Sequence, residues 1–75
     1  VFYIKTKWAG DVIAACFRCG INQDELADAS GISRSFLNRY LGKPNQDWVT
    51  SSKIEKGLRL CIEKRGYKLE DFFPA

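Results

Sequence analysis

The 75-residue chain has no histidine and no methionine, two prolines and three cysteines. The missing histidine removes the side chain whose ordinary pKa suits general base work at neutral pH. No glycine-rich phosphate loop is present. Ser33, Ser51 and Ser52 stand where helix caps are expected. Asp24, Glu25, Glu70 and Asp71 fall in first turns of expected helices, where the macrodipole accounts for acidic residues. The chain is therefore read as a non-enzyme. It lacks an apolar run of about 18 residues and a signal-peptide pattern, so no membrane partner is expected. It opens Val1-Phe2-Tyr3, which reads as a piece of a longer protein.

Few cysteines also decide something. Cys16 and Cys19 have the Cys-x-x-Cys spacing, but a zinc site asks for about four ligands, and Cys61 is the one remaining thiol. The expectation is interior structural thiols with no metal and no cofactor. Three cysteines are too few for a disulfide framework and fit a reducing compartment.

What is present is a hydrophobic content of 45%, with 13% aromatic residues, enough for a small helical core. The length is that of one domain, residues 1–75, near the lower limit for a self-sufficient core. The net charge of +3 is modest, but its distribution is uneven. From Ser33 to Arg59 the basic residues Arg34, Arg39, Lys43, Lys53, Lys56 and Arg59 face only Asp47 and Glu55. That surplus is where phosphates would lie, with ordinary surface scatter as the competing account.

The periodicity predicts an all-α bundle of four to five helices. A first helix covers about Lys7 to Cys19, with Trp8, Val12, Ala15, Cys16 and Cys19 on one stripe and Gly20 as its stop. The stretch 43–50 reads as a loop that Trp48 and Val49 pin to the core. A fourth helix starts at Ser51-Ser52, capped by Ser52 with Glu55 as the reciprocal partner. It buries Ile54, Leu58, Cys61 and Ile62 and stops near Gly66. A short last helix carries Leu69, Phe72 and Phe73 and is closed by Pro74. Residues 1–5 are expected to be extended or to lead into the first helix, with Phe2 or Ile4 on the core.

The most informative stretch is 23–42, QDELADASGISRSFLNRYLG. Asn22 and Glu25 read as a capping box, with Ile21 and Leu26 as a hydrophobic staple. Ser33 repeats the cap, with Ile32 and Leu37 as its staple. Gly31 suits the left-handed end of a helix. Ala27 is small where two helices must cross. Ile32, Leu37, Tyr40 and Leu41 form a buried stripe, and Arg34, Ser35, Asn38 and Arg39 point outward. This is the layout of a helix-turn-helix whose second helix can enter a DNA major groove. Phe36 reads either as core-edge packing or as an apolar contact to a thymine methyl.

Gln23, Leu26-Ala27, Gly31-Ile32-Ser33, Ser35 and Leu37 together resemble the lambda-repressor-like DNA-binding domains: phage repressors, Xre-type regulators and POU-specific domains. The resemblance covers about residues 9–73 and extends to the ending Leu69-Glu70-Asp71-Phe72-Phe73. It implies sequence-specific binding of double-stranded DNA and a role in transcription regulation. Gln23 matches a glutamine that bonds a phosphate and braces the first exposed side chain of the reading helix, here Arg34. Arg34 and Ser35 match the first base-reading pair, although the family commonly has glutamine in place of Arg34. Residues 32–40 are particularly similar to the POU-specific reading helix, in which an arginine matching Arg39 contacts guanine. Asn38 shares that face. Lys43, Asn45, Ser51 and Lys53 are candidate phosphate contacts, with solvent exposure the competing account for each. The 43–50 loop is longer than in compact phage repressors.

The alternative function is a protein-interaction module on the same fold. The polar outward face of the reading helix favours DNA. The expected compartment is the nucleus for a eukaryotic chain and the cytoplasm for a bacterial or phage one. A dimer or a second DNA-binding domain is the expected source of useful affinity.

Overall fold

Thr6 starts the first helix by accepting the amide of Ala9 on its hydroxyl, 3.2 Å away. The helix α1 that follows spans Lys7–Cys19. The computed structural model describes residues 4–73. After α1 come α2 (Gln23–Ser30), α3 (Arg34–Leu41), α4 (Trp48–Lys64) and a single 3-10 turn at Leu69–Asp71. There is no strand among the described residues. The chain is a small all-α bundle, as its periodicity predicts.

The core is one cluster drawn from every helix. Ala9, Val12 and Ala15 come from α1, Leu26 and Ala27 from α2, and Leu37, Tyr40 and Leu41 from α3. Ile54, Leu58, Cys61 and Ile62 of α4 complete it with Leu69 and Phe73. The longest helix, α4, packs along α2 and also meets α1 and the 3-10 turn. At Gly57 it crosses α2 tightly. A Cβ there would sit 2.8 Å from the Ser30 amide nitrogen and 3.0 Å from the Ala29 carbonyl carbon, besides clashing with the Ser30 hydroxyl. Only a hydrogen at that position lets the two backbones meet.

Local chemistry sets the helix ends. Asn22 accepts the amide of Glu25 at 2.8 Å, and Ser33 accepts the amide of Phe36 at 3.1 Å. At the end of α2, Gly31 is left-handed with φ 74°. Its amide bonds the Asp28 carbonyl, and the Ile32 amide bonds the Ala27 carbonyl. That is a Schellman closure, which satisfies two carbonyls the helix leaves open. The same closure ends α1 at Gly20, where the Ile21 amide reaches the Cys16 carbonyl.

Several expectations need correction. Helix α4 begins at Trp48, and its cap is Asp47, whose carboxylate accepts the Thr50 amide at 2.8 Å. Ser51 and Ser52 lie inside the helix, so Ser52 is not a cap. The loop is therefore short, and Trp48 and Val49 do not pin it; they are exposed. What pins it is Tyr40, whose hydroxyl donates toward the Asp47 carbonyl and carboxylate, both 3.0 Å away. The Asn22 box is one-sided, because the Glu25 carboxylate goes to Arg65 instead of back to Asn22. Cys61 is buried, but Cys16 and Cys19 are only half-buried. Ile4 is exposed. The expected last helix is a single 3-10 turn, with Leu69 and Phe73 buried and Phe72 at the core edge. The expectations for Phe2 and Pro74 lie outside the described residues.

Candidate nucleic-acid interface

Helix α3 has eight residues and divides cleanly. Leu37, Tyr40 and Leu41 are buried, while Arg34, Ser35 and Arg39 are exposed and Asn38 is half-buried. Spacing of four along a helix places Arg34 beside Asn38 and Ser35 beside Arg39. The four polar side chains expected to face outward therefore share one surface. Phe36 is half-buried and stacks on Tyr40, with ring centroids 5.9 Å apart and planes 17° apart. It is core-edge packing. Trp8 meets the same tyrosine edge-on at 6.0 Å and donates its indole N–H to Glu55 at 3.0 Å. Helix α3 thus carries two stacked rings of its own and is braced by a third, Trp8 of α1.

The basic residues fall into two groups. Arg34 reaches Asp24 on α2 at 3.4 Å, so the brace predicted from Gln23 is made by its neighbour. Arg59 faces Glu70 at 3.4 Å and Glu63 at 3.9 Å. Lys7 pairs with Asp11, and Arg65 pairs with Glu25. Among the described residues, Arg39, Lys43, Lys53 and Lys56 have no carboxylate within ion-pair distance, and neither do Lys5, Arg18, Lys64 and Lys68. All eight are exposed.

The junction from α3 to α4 is built around Tyr40. The side-chain amide of Gln46 donates to the Tyr40 carbonyl at 3.3 Å and to the Lys43 carbonyl at 3.0 Å, covering the open end of α3. The Lys43 ammonium lies 5.9 Å from the centre of the Tyr40 ring. Burial holds the Tyr40 phenol above its usual pKa, and the Asp47 carboxylate adds to the shift. The Asp47 carboxylate itself is held low by the Thr50 amide. Tyr40 therefore stays protonated and keeps its donor on Asp47.

Each proposed phosphate contact has a different position. Lys43, Asn45 and Lys53 are exposed. Ser51 is half-buried, and its hydroxyl faces the carbonyls of Asp47 at 2.7 Å and Trp48 at 3.1 Å. Its single proton is occupied there, so it offers a phosphate no donor. Gln23 is half-buried at the start of α2. Lys56, Trp48 and Val49, none of them among the expected contacts, are exposed on α4 as well. Spacing of four and seven from Val49 to Lys53 and Lys56 was the available signal, but it needed the true start of α4.

Two other features offer less. A groove of about 450 Å³ lies between α1, α4 and the 3-10 turn, over Trp8, Leu69 and Phe73. Its charged rim is already satisfied through the Lys7–Asp11, Arg59–Glu70 and Trp8–Glu55 contacts. The Cys16 thiol is pushed up to about 12, first by burial and then by Cys61 and Cys19. A thiol so hard to ionise is a poor nucleophile. No cluster of three or more metal-ligating side chains stands among the described residues, and none of their helices is long and apolar enough to cross a membrane. Comparison with protein families, characterised proteins and solved structures finds no match to this chain.

Proposed function

We propose that this chain binds double-stranded DNA in a sequence-specific way and serves transcription regulation, with α3 as the reading helix in the major groove. The observation that carries this reading is the entirely polar outward face of α3, formed by Arg34, Ser35, Asn38 and Arg39, with Arg39 unpaired on it and Lys43 unpaired just past its end. Arg39 is assigned to guanine, because its fork matches the O6 and N7 acceptors of that base. Ser35 and Asn38 supply hydroxyl and amide groups on either side, and Arg34 joins once it leaves Asp24. Lys43, Asn45 and Lys53 are assigned to phosphates. A second copy or a second DNA-binding domain would supply the rest of the affinity.

The test is selection on random duplex DNA, followed by titration of the enriched site and its single-base variants. Binding should weaken with salt by roughly 0.9 log unit per log unit of salt for each phosphate engaged. Arg39→Ala should lose about 1–3 kcal/mol on the selected site and relax one base position while the fold persists. A flat salt response, or full base discrimination in folded Arg39→Ala, would overturn the reading. The protein-interaction alternative would then rest on Phe17, which is 87% exposed on α1. Co-purification with a partner lost on Phe17→Ser would support it.

A further inference from the structure

Trp48 and Val49, the first two residues of α4, are 80% and 61% exposed. Solvent exposure alone is a poor account of an indole and an isopropyl group side by side. Their position follows from helical spacing. The buried stripe Ile54, Gly57, Leu58, Cys61 and Ile62 runs back through Asp47, Thr50 and Ser51, leaving Trp48 and Val49 off it. One and two turns beyond Val49 come Lys53 and Lys56, both exposed and without a carboxylate partner among the described residues. The exposed Val49 thus lies in line with two free cations, while the exposed Trp48, one position earlier, lies in line with Ser52 and Glu55.

The start of α4 is also tied to the end of α3. The Tyr40 hydroxyl holds Asp47, the residue before Trp48, and Tyr40 directly follows Arg39. Lys43 lies over the same tyrosine ring. A second copy of this chain meeting the patch face to face would bring like charges together. A polyanion complements them.

We propose that Trp48 and Val49 form an apolar contact with the DNA duplex, packed on deoxyribose beside the groove that α3 enters, with Lys43 and Lys53 on the flanking phosphates. This rests on the DNA-binding reading above. The indole fits the task because it is flat and apolar yet carries one N–H for a sugar or phosphate oxygen. The contact is not ionic. It adds affinity without releasing counterions, whereas each lysine on a phosphate steepens the salt dependence.

The experiment titrates a short mixed-sequence duplex against the wild-type chain, Trp48→Ala, Val49→Ala and Lys53→Ala over a range of salt, beside thermal melts. Trp48→Ala should bind about five- to tenfold more weakly at every salt concentration, with an unchanged salt slope. Val49→Ala should show a smaller loss of the same kind. Lys53→Ala should lower the slope by about 0.9. Tryptophan emission should change when DNA is added to the wild-type chain and not to Trp48→Ala. Wild-type affinity in Trp48→Ala, with Lys53→Ala weakened, would overturn this contact and leave the DNA-binding reading standing. A wild-type chain that binds no duplex at low salt would overturn both. Should Trp48→Ala lower the melting temperature, the Trp8→Phe chain decides, since Trp48 is then its one tryptophan and can be excited selectively. Unaltered emission on DNA binding would sink the proposal.

Discussion

Arg65 grips Glu25 with both prongs of its guanidinium, each nitrogen 2.7 Å from a carboxylate oxygen. The same group donates to the carbonyls of Cys61 at 3.2 Å and Gly20 at 3.3 Å. One side chain at the end of α4 thereby holds the end of α1 and the start of α2. Such planar, two-pronged pairing is specific to arginine. Arg65→Lys should therefore lower the melting temperature nearly as much as Arg65→Ala. Glu25→Gln should cost less, because the carbonyl contacts survive. Equal melts for Arg65→Lys and the wild-type chain would show that charge alone matters there.

The hydrogen bonds from Arg65 hold the Glu25 carboxyl below its usual range, and the Thr50 amide does the same for Asp47. A carboxyl lowered by folding stabilises the native state above its unfolded pKa, and that stability is lost as pH falls through the folded value. Thermal melts should be flat from neutral pH down to about 4.5, near the unfolded carboxylate range, and then drop. The gap between wild-type and Glu25→Gln chains should close over the same acid range. A constant gap to pH 2, on the order of two units below that range, would remove Glu25 from the account.

Gly57→Ala should be severely destabilising, because the new methyl meets backbone atoms of α2 as well as the Ser30 hydroxyl. Overpacking of this kind costs about 1–3 kcal/mol. Ser30→Ala should be tolerated on its own, since the buried Ser30 hydroxyl has no hydrogen-bond partner among the described residues. The double variant should recover only part of the loss, because the α2 backbone stays in the way. Full recovery in denaturant titrations would mean that the hydroxyl was the sole obstacle.

Leu37 and Ala27 are both in the core. Leu37→Ala should cost about 2–5 kcal/mol through a cavity beneath α3. Ala27→Leu should cost about 1–3 kcal/mol through crowding. Unchanged melts for both would contradict the packing described.

Asp24 tests the polar face from the opposite direction. It pairs with Arg34 and would stand near the phosphates on the DNA-binding reading. Asp24→Asn should strengthen duplex binding by about two- to fivefold, within the ordinary worth of an exposed pair. Weaker binding would show that Asp24 positions Arg34 rather than competing for it.

The parts legible in the sequence are those decided within a few residues. Asn22, Gly31 and Ser33 cap and close their helices as read, because each bond spans only a few positions. Of the expected stripe, Leu37, Tyr40 and Leu41 are buried as period predicts, while Ile32 precedes α3 and is half-buried. Misreadings arose where distant residues compete for a local partner. Glu25 had a plausible bond to Asn22, but Arg65, forty positions away, offers two charged donors. Ser51-Ser52 resembled a cap, but Asp47 accepts the Thr50 amide and is held by Tyr40. Gly57 reads as an ordinary helix glycine until α2 is laid across it. The outward set Arg34, Ser35, Asn38 and Arg39 was legible as a pattern. The division of the cations into paired and unpaired was not, because it depends on which acids the fold brings near.

The brevity of α3 sets how much it could read. Eight residues make a rod of about 12 Å, at 1.5 Å per residue. Duplex DNA advances about 3.4 Å per base pair, so such a rod lies alongside roughly four of them. A word of about four letters recurs by chance every ~256 positions, far too often to name one address among the ~10⁶–10⁹ competing sites a genome offers. On the DNA-binding reading, the information carried by this helix is that of a syllable. An address would need several syllables read together, so spacing and orientation between reading units would carry as much of the message as the side chains of α3.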